Sequence, residues 1–163
     1  MTALLIGVVS DTHLLGKTLP EHVIAALGGC DLILHAGDIL DMAVLEQLSS
    51  IAETRAVKGN MDTGEVASGL PGRRLIEVEG FAIGLTHGHG APAGMTGRVR
   101  GEFDHVDCIV FGHTHQPLAG VRDGVLFFNP GSPTDGKFAT RNTVGFLEVT
   151  DIISPRIMDV AGS

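Results

Sequence analysis

The strongest constraint on the fold is a repeated unit in which a short apolar segment ends in a turn that carries polar side chains. The apolar segments are residues 4–10, 32–36, 54–58, 81–86, 108–111 and 125–128. They lead in order into the sequences DTH, GD, GNMD, HGHG, GHTH and NPGS. Because ligands in open α/β sheets collect beyond the carboxyl ends of strands, the repetition predicts that distant loops converge on one pocket.

The segments between these strands predict an α/β fold. Residues 19–27 and 42–48 have helical apolar spacing, and Asp41 precedes the second stretch as an N-cap. A third helix is expected within residues 92–103. Beyond Arg73 the chain favours antiparallel strands with a hairpin turn at Asp123–Gly124, and the strand segments are 118–122, 144–149 and 152–160. We therefore expect an α/β/β/α sandwich of two mixed β-sheets flanked by helices.

Length and composition predict one domain spanning residues 1–163. No apolar run is long enough for a bilayer and the N-terminus has no signal-like region, so we expect a cytoplasmic location and no membrane partner. The net charge of −8 argues against duplex nucleic acid as a partner. Cys30 and Cys108 have no metal-type or redox-type spacing and are expected to be buried free thiols.

Seven of the polar side chains are candidate ligands for divalent cations: Asp11, His13, Asp38, Asn60, His87, His113 and His115. Carboxylate, amide and imidazole groups without a neighbouring thiolate suit hard or borderline ions. If the backbone is extended, residues i and i+2 point the same way, so Asp11 with His13 and His113 with His115 are presented jointly. Seven ligands exceed the needs of one open site and favour two ions that share a carboxylate.

Each motif alone has a simpler explanation. Asp11 and Asp38 suit turns or helix caps, and Gly59–Asn60 suits a tight turn. Two histidines directly after a buried strand have few structural roles, so residues 113–115 carry more weight. His89 is interpreted either as a substrate contact or as a support for a ligand. Asp62 fits either the orientation of a ligand or the start of a helix, and the other histidines are expected inside the fold at His35 and on the surface at His22 and His105.

The ordered motifs resemble those of the calcineurin-like metallophosphoesterase superfamily: Asp-x-His, Gly-Asp, Gly-Asn, a lone His after a strand, and Gly-His-x-His. The short chain and the NPGS segment look like its compact bacterial and archaeal phosphodiesterase branch, which is related to a eukaryotic retromer scaffold subunit. The resemblance implies one metal at Asp11, His13, Asp38 and His115, and a second at Asp38, Asn60, His87 and His113. It also implies Mn²⁺, Fe, Zn²⁺, Ni²⁺ or Co²⁺ as cofactors, with Mn²⁺ preferred.

The hypothesis that follows is hydrolysis of small phosphodiesters by a metal-bridging hydroxide, with Asp38, Asn60 and His87 as catalytic residues and Asn60 and His89 contacting substrate. Many members of the superfamily have a histidine after Gly-Asn, whereas this chain has Met61. A thioether cannot donate a proton to the leaving oxygen. The alternative is a catalytically weak scaffold that keeps a metal pocket, and the sequence leaves open whether the chain forms a homo-oligomer.

Overall fold

The strands form two mixed sheets of five strands each. A computed structural model describes residues 2–160, so the ends of the predicted domain, residue 1 and residues 161–163, lie outside the described residues. The strands are β1 Leu4–Val9, β2 Leu32–His35, β3 Glu53–Ala56, β4 Arg73–Val78, β5 Phe81–Thr86, β6 Cys108–Val110, β7 Leu118–Arg122, β8 Val125–Asn129, β9 Thr143–Val149 and β10 Ile153–Asp159. The helices are α1 Glu21–Ala26, α2 Met42–Ser49, α3 Gly64–Gly69 and α4 Met95–Arg100.

Each sheet contains three adjacent parallel strands, at one side of the first sheet and in the middle of the second. The first sheet has the order β10-β9-β1-β2-β3 and the second the order β4-β5-β6-β8-β7. β1, β2 and β3 are parallel to one another, as are β5, β6 and β8, whereas the remaining pairs are antiparallel. The carboxyl ends of each parallel trio therefore lie at one edge of their sheet, which is where the polar clusters follow.

Apolar side chains pack in three layers. The inner faces of the two sheets meet through residues such as Ile6, Leu34 and Phe128. The outer face of the first sheet packs with helical residues such as Val23 and Leu45, and that of the second sheet packs with α4. Helices on both outer faces of two mixed sheets confirm the predicted α/β/β/α sandwich.

The three predicted helices are present: α1 and α4 are shorter than the predicted stretches, α2 is one residue longer, and one helix was missed. Asp41 caps α2, since its carboxylate accepts the backbone N–H of Ala43. The hairpin at Asp123–Gly124 is confirmed by positive φ angles of 51° and 78°. The missed helix is α3, which is only six residues long and has glycine at both ends, so it shows no apolar period.

Two smaller expectations are also tested. Cys30 and Cys108 are buried free thiols, and burial raises the pKa of Cys30 to about 11. Across residues 2–160, no helix has both the length and the apolar character to cross a bilayer.

Candidate metal centre

The seven predicted ligands come from five loops and meet at one place. Asp38 lies between two of the histidines, with Oδ2 3.3 Å from His13 Nε2 and 3.3 Å from His87 Nε2. Asp11 lies beside His115, with Oδ1 3.3 Å from His115 Nε2 and 3.6 Å from His13 Nε2. The loops after β1, β2, β5 and β6 therefore supply one shared cluster.

Asn60 and His113 complete this cluster from the side of His87. The Oδ1 atom of Asn60 lies 3.0 Å from His87 Nε2. The Nδ1 atom of His113 lies 3.3 Å from the same nitrogen. Residues separated by more than a hundred positions in the chain thus place their donor atoms within reach of common cations.

Within the described part of the chain, two buried atoms of the cluster lack the hydrogen bonds that buried polar atoms normally make, and a divalent cation would satisfy both. Asp11 Oδ1 and His13 Nε2 are buried, yet neither has a hydrogen-bond partner. Buried polar atoms are normally paired, and an ion is one of the partners that can satisfy them. Ligand atoms of Asp11, His13 and His115 lie within 4.8 Å of one another, as do those of Asp11, Asp38 and His87. The residues present therefore suit a metal.

The backbone that presents these ligands is left-handed rather than extended. The φ angles are 55° for Asp11, 45° for His13, 57° for Asp38, 73° for His113 and 61° for His115. From the sequence we expected extended backbone to present two pairs of residues jointly, 11 with 13 and 113 with 115. The expected backbone conformation was wrong. Left-handed conformations cost energy for residues with a side chain and concentrate at functional sites, which agrees with this placement.

Three histidines have one ring nitrogen fixed from outside the cluster. His87 Nδ1 lies 2.7 Å from the carbonyl oxygen of Ala36 and His113 Nε2 lies 3.0 Å from that of Gly90. A carbonyl oxygen only accepts, so these two nitrogens carry the proton. The opposite nitrogens are left free for a metal, as a metal-binding histidine requires: His87 Nε2 faces Asp38 and Asn60, and His113 Nδ1 faces His87 Nε2.

Asp135 holds His115 in the same way and was not anticipated from the sequence. Its Oδ2 lies 2.6 Å from His115 Nδ1, which leaves His115 Nε2 facing Asp11. Its carboxylate also accepts the backbone N–H groups of Lys137, Phe138 and Ala139. Asp135 does not directly follow a strand, and it forms no sequence motif with His115. Its role is seen only in the structure, where the chain brings it back to His115 twenty residues later.

Asp62 orients the loop of Asp38 and does not cap a helix. Its carboxylate accepts the backbone N–H groups of Asp38, Ile39, Leu40 and Gly59 at 2.8–3.0 Å. The N-cap of α3 is Thr63 instead. Of the two interpretations of Asp62, the structure supports orientation of a ligand.

The NPGS segment ties the loops of the two sheets together. Asn129 donates to the carbonyl oxygen of Gly112, and Ser132 Oγ donates to the carbonyl oxygen of Asp11 at 2.8 Å. Thr134 Oγ1 donates to the carbonyl oxygen of Thr12 at 2.7 Å. Asn129 and Ser132 are fully buried, so they position the candidate ligand loops from beneath.

Two glycines allow the ligands to approach the neighbouring backbone. A Cβ atom at Gly112 would overlap Ser10 Oγ and the Asp11 carboxylate. A Cβ atom at Gly59 would overlap the Asp38 carboxylate and the Asp38 backbone nitrogen. The absence of a side chain at these positions is therefore a requirement of close packing around Asp11 and Asp38.

The ionised forms of both aspartates are stabilised by the histidines. Burial opposes ionisation of Asp11, but the neighbouring imidazoles of His115 and His13 hold its pKa well below the usual range. The nearby Asp11 carboxylate, acting against burial, raises the pKa of His115 to about 9, with Asp135 assisting. The pKa of Asp38 is likewise lowered against burial by His87, whose own pKa is raised. The centre thus keeps carboxylates charged for a cation.

A cavity of about 310 Å³ opens over the cluster. Its lining includes His13, Asp38, Asn60, His113 and His115, together with Met61, Gly90, Pro92, Thr114 and Phe138. His89 is exposed, and its carbonyl oxygen accepts from Arg98 Nε at 2.7 Å; its side-chain contact with substrate stays a prediction. Among residues 2–160, none of the cavity-lining side chains belongs to lysine or arginine.

The remaining histidines occupy the positions that the sequence predicts. His35 is fully buried; its Nδ1 accepts the backbone N–H of Gly37 and its Nε2 lies 3.1 Å from Thr12 Oγ1. His22 and His105 are exposed. None of these three belongs to the ligand cluster described above.

Comparison with known proteins identifies the family. Residues 4–152 match the calcineurin-like phosphoesterase superfamily domain. A probable metallophosphoesterase of Methanocaldococcus jannaschii is 40% identical over 162 residues, which cover 96% of this chain and 82% of that protein. The phosphodiesterase YfcE of Escherichia coli is 32% identical over 120 residues, which cover 68% of this chain and 61% of that protein.

A solved structure shares the fold. The crystal structure of wild-type Vps29 complexed with Zn²⁺ from Entamoeba histolytica has a TM-score of 0.74 and 24% identity, and covers 97% of this chain and 100% of that one. The match to the superfamily domain and to the curated relatives confirms the resemblance drawn from the motifs, and the Vps29 structure shares the fold. The chain belongs to the calcineurin-like phosphoesterase superfamily.

Proposed function

We propose that this chain is a binuclear metal-dependent phosphodiesterase that hydrolyses small phosphodiesters in the cytoplasm, with Mn²⁺ as the preferred ion. One observation carries the proposal: two aspartates and their histidine partners converge with Asp11 Oδ1 and His13 Nε2 buried and unpaired. The names of two relatives, a probable metallophosphoesterase and a phosphodiesterase, support the same class of reaction.

Asp38 is assigned as the shared ligand because its Oδ2 atom lies 3.3 Å from His13, a ligand of the first ion, and 3.3 Å from His87, a ligand of the second. His13 and His115 hold one ion with Asp11, and Asn60, His87 and His113 hold the other. When bound, the two ions supply an activated water and offset the negative charge of the phosphate. The protein fixes this set through Asp62, Asp135 and the carbonyl oxygens of Ala36 and Gly90.

Met61 determines which leaving groups the site serves best. Its backbone N–H donates to Asp38 Oδ1 at 2.9 Å, and its side chain lines the cavity. A thioether donates no proton, so general-acid assistance, typically ~10²–10⁴-fold, is missing from this position. Esters with acidic leaving groups, such as aryl and nucleotidyl esters, should therefore react faster than alkyl esters.

The proposal is tested by adding metal to metal-free protein and assaying bis(4-nitrophenyl) phosphate. We expect Mn²⁺-dependent hydrolysis that falls by at least about 100-fold in Asp38→Asn, since removing a bridging carboxylate disrupts both ions. Asp151→Asn is the matched control because Asp151 is exposed and lies outside the cavity. Equal rates in both variants would contradict the assignment of Asp38.

The scaffold alternative is favoured by the likeness to Vps29. It predicts that metal binds in stoichiometric amount while neither diesters nor monoesters are turned over. The same assay, run with metal content measured on each sample, separates the two functions. Turnover that rises with bound metal supports the enzyme, and bound metal without turnover supports the scaffold.

The role of Met61 is tested by Met61→His. We expect the rate for alkyl esters to rise relative to the rate for aryl esters by about 10-fold, because the imidazole restores a proton donor. Met61→Leu controls for the change in shape. An unchanged alkyl-to-aryl ratio in Met61→His would contradict this account of leaving-group preference.

A further inference from the structure

The mouth of the metal cavity carries large apolar side chains that stabilise nothing in the core. Phe138 is 67% exposed and Met61 is 52% exposed, yet both line the cavity beside the ligand cluster. Pro92 lines it from a third loop. Ligand sites commonly combine a few polar groups with an apolar and aromatic lining, so the position of these side chains points to the organic part of a substrate.

Phe138 and Met61 lie beside different halves of the cluster. The Phe138 ring is 6.3 Å from the His115 ring between centroids. Met61 follows Asn60 directly and its backbone contacts Asp38. A phosphodiester has two organic groups on one phosphate, so a phosphate held at the centre can extend one group toward each side.

The Phe138 backbone is fixed although its ring is exposed. Its N–H donates to both oxygens of the Asp135 carboxylate at 3.1 and 3.2 Å. The neighbouring Ala139 N–H donates to the same carboxylate at 2.8 Å. Because Asp135 also bonds His115, the loop that carries the ring is tied to a candidate metal ligand.

Among residues 2–160, the cavity lining lacks the lysine and arginine side chains that would bind a phosphate ester through their charge, which gives its apolar side chains more weight in recognition. Lys58, Arg73 and Arg74 donate to backbone carbonyl oxygens of Ala67, Glu102 and Ala56. They do not line the cavity. Lysine and arginine are absent from the cavity lining among the described residues, so contacts with the organic groups are left to discriminate between phosphate esters.

We infer that Phe138 is a specificity-determining residue whose ring receives a planar aromatic group of the substrate, an aryl ring or a nucleobase, while the phosphate lies at the metal centre. This inference rests on the proposed function. Offset or edge-to-face ring contacts favour aromatic over alkyl groups beyond the area that they bury. Nucleobases stack on aromatic side chains with little dependence on sequence.

Phosphonates test the inference without turnover, because ester hydrolysis does not cleave their C–P bond. Calorimetry on Mn²⁺-loaded protein compares phenylphosphonate, a nucleoside 5′-phosphonate and methylphosphonate. We expect the wild type to bind the two aromatic ligands about 3- to 10-fold more tightly than methylphosphonate. In Phe138→Ala this preference should disappear, and in Phe138→Leu it should be partly kept.

Two controls separate the ring from other effects. Lys137 Nζ lies 5.2 Å over the Phe138 ring centroid, so Lys137→Gln tests whether the ammonium group, rather than the ring, provides the preference. Metal content measured on each variant should equal that of the wild type. Loss of the preference in Phe138→Ala but not in Lys137→Gln supports the inference.

The outcomes distinguish the inference from the proposed function. A preference that is absent in the wild type, or unchanged in Phe138→Ala, overturns the role of Phe138 whatever the hydrolysis assay gives. A Phe138-dependent preference in protein that hydrolyses no ester keeps the aromatic site and overturns the enzymatic proposal. If Phe138→Ala weakens the binding of phenylphosphonate alone, the ring receives an aryl group. If it weakens the binding of both aromatic ligands, the ring also receives a nucleobase.

Discussion

Left-handed backbone has different causes in two regions of this molecule, the hairpin turns and the candidate metal centre. In the hairpins between β4 and β5 and between β7 and β8, Glu79 and Asp123 have φ angles of 49° and 51°, and glycine follows each. These turns are exposed. A two-residue turn with both φ angles positive matches the twist of the strands that it joins, so the local sequence explains the conformation.

In the metal centre, the left-handed residues are aspartates and histidines that contact distant parts of the chain. Asp11 accepts the backbone N–H of His113, which lies 102 residues later, and the Asp11 carbonyl accepts Ser132 Oγ, 121 residues later. The comparison teaches that left-handed backbone alone identifies a turn. Left-handed backbone in buried polar residues held by long-range hydrogen bonds identifies the site.

A pair of glycine substitutions compares how closely the two regions are packed, and it has the largest expected effect. Gly112→Ala should destabilise the fold by more than about 3 kcal/mol, since its Cβ would overlap Ser10 and Asp11 with no free space. Gly124→Ala should cost only about 1–2 kcal/mol, because no atom lies within 4 Å of the added carbon and only the positive φ is strained. Urea unfolding measures both. Similar losses would show that the two regions are not different in kind.

The aspartates that accept backbone N–H groups provide the next comparison. Asp62 accepts four such groups around Asp38, whereas Asp31 accepts only that of Leu5 at an exposed site. We expect Asp62→Asn to cost about 2–3 kcal/mol, because an amide brings a donor toward several donors. Asp31→Asn should cost less than about 1 kcal/mol. If both variants unfold at the same urea concentration, the network around Asp62 is no stronger than an ordinary surface contact.

His35 predicts a dependence of stability on pH beneath the site loops. Burial lowers its pKa to about 4, against the nearby Asp11 and Asp62. The unfolded chain takes up a proton near pH 6.5, so stability is present above that pH and is lost as the pH falls toward 4. The loss between pH 7 and 4.5 is about 2 kcal/mol.

A difference measurement isolates this term in metal-free protein. His35→Asn should show a loss of unfolding free energy between pH 7 and 4.5 that is smaller than that of the wild type by about 2 kcal/mol. His22→Asn is the control, since His22 is exposed on α1. Parallel pH profiles for the wild type and His35→Asn would refute the assignment.

A substitution at Asp135 tests how far its hydrogen bond to His115 strengthens metal binding. Asp135→Asn should weaken metal binding about 10- to 100-fold, because the carboxylate fixes the ring of His115 and increases its basicity. Competition with a metal-indicator dye measures the affinity directly. Asp151→Asn is the control on an exposed aspartate. An affinity equal to that of the control would limit Asp135 to ordering residues 137–139.

The sequence alone predicted the layers of the fold and the convergence of the seven candidate ligands, because both leave a local signal. Each ligand follows an apolar strand, and strands that run in parallel deliver the following loops to one edge. α3 gave no signal since six residues with terminal glycines have no apolar period. Strand order in the sheets also depends on pairing across the chain, which no single segment records.

The parts of the centre that sequence reasoning missed are those set by tertiary contact. Asp135 acts through His115 after a return of twenty residues. Arg98 holds the loop after β5 by donating to the carbonyl oxygens of His89 and Ala93. The left-handed φ of Asp38 follows from the surrounding hydrogen bonds, not from a turn dipeptide. Local patterns therefore predict which residues are candidate ligands, and distant contacts determine how those residues are held.

The most direct test of the central claim is anomalous diffraction at the manganese absorption edge from crystals of the Mn²⁺-loaded protein. We expect two peaks, one on each side of the Asp38 carboxylate, the first beside Asp11, His13 and His115 and the second beside Asn60, His87 and His113. A single peak would contradict the binuclear assignment. Peaks away from these side chains, or none at saturating Mn²⁺, would contradict the metal centre itself.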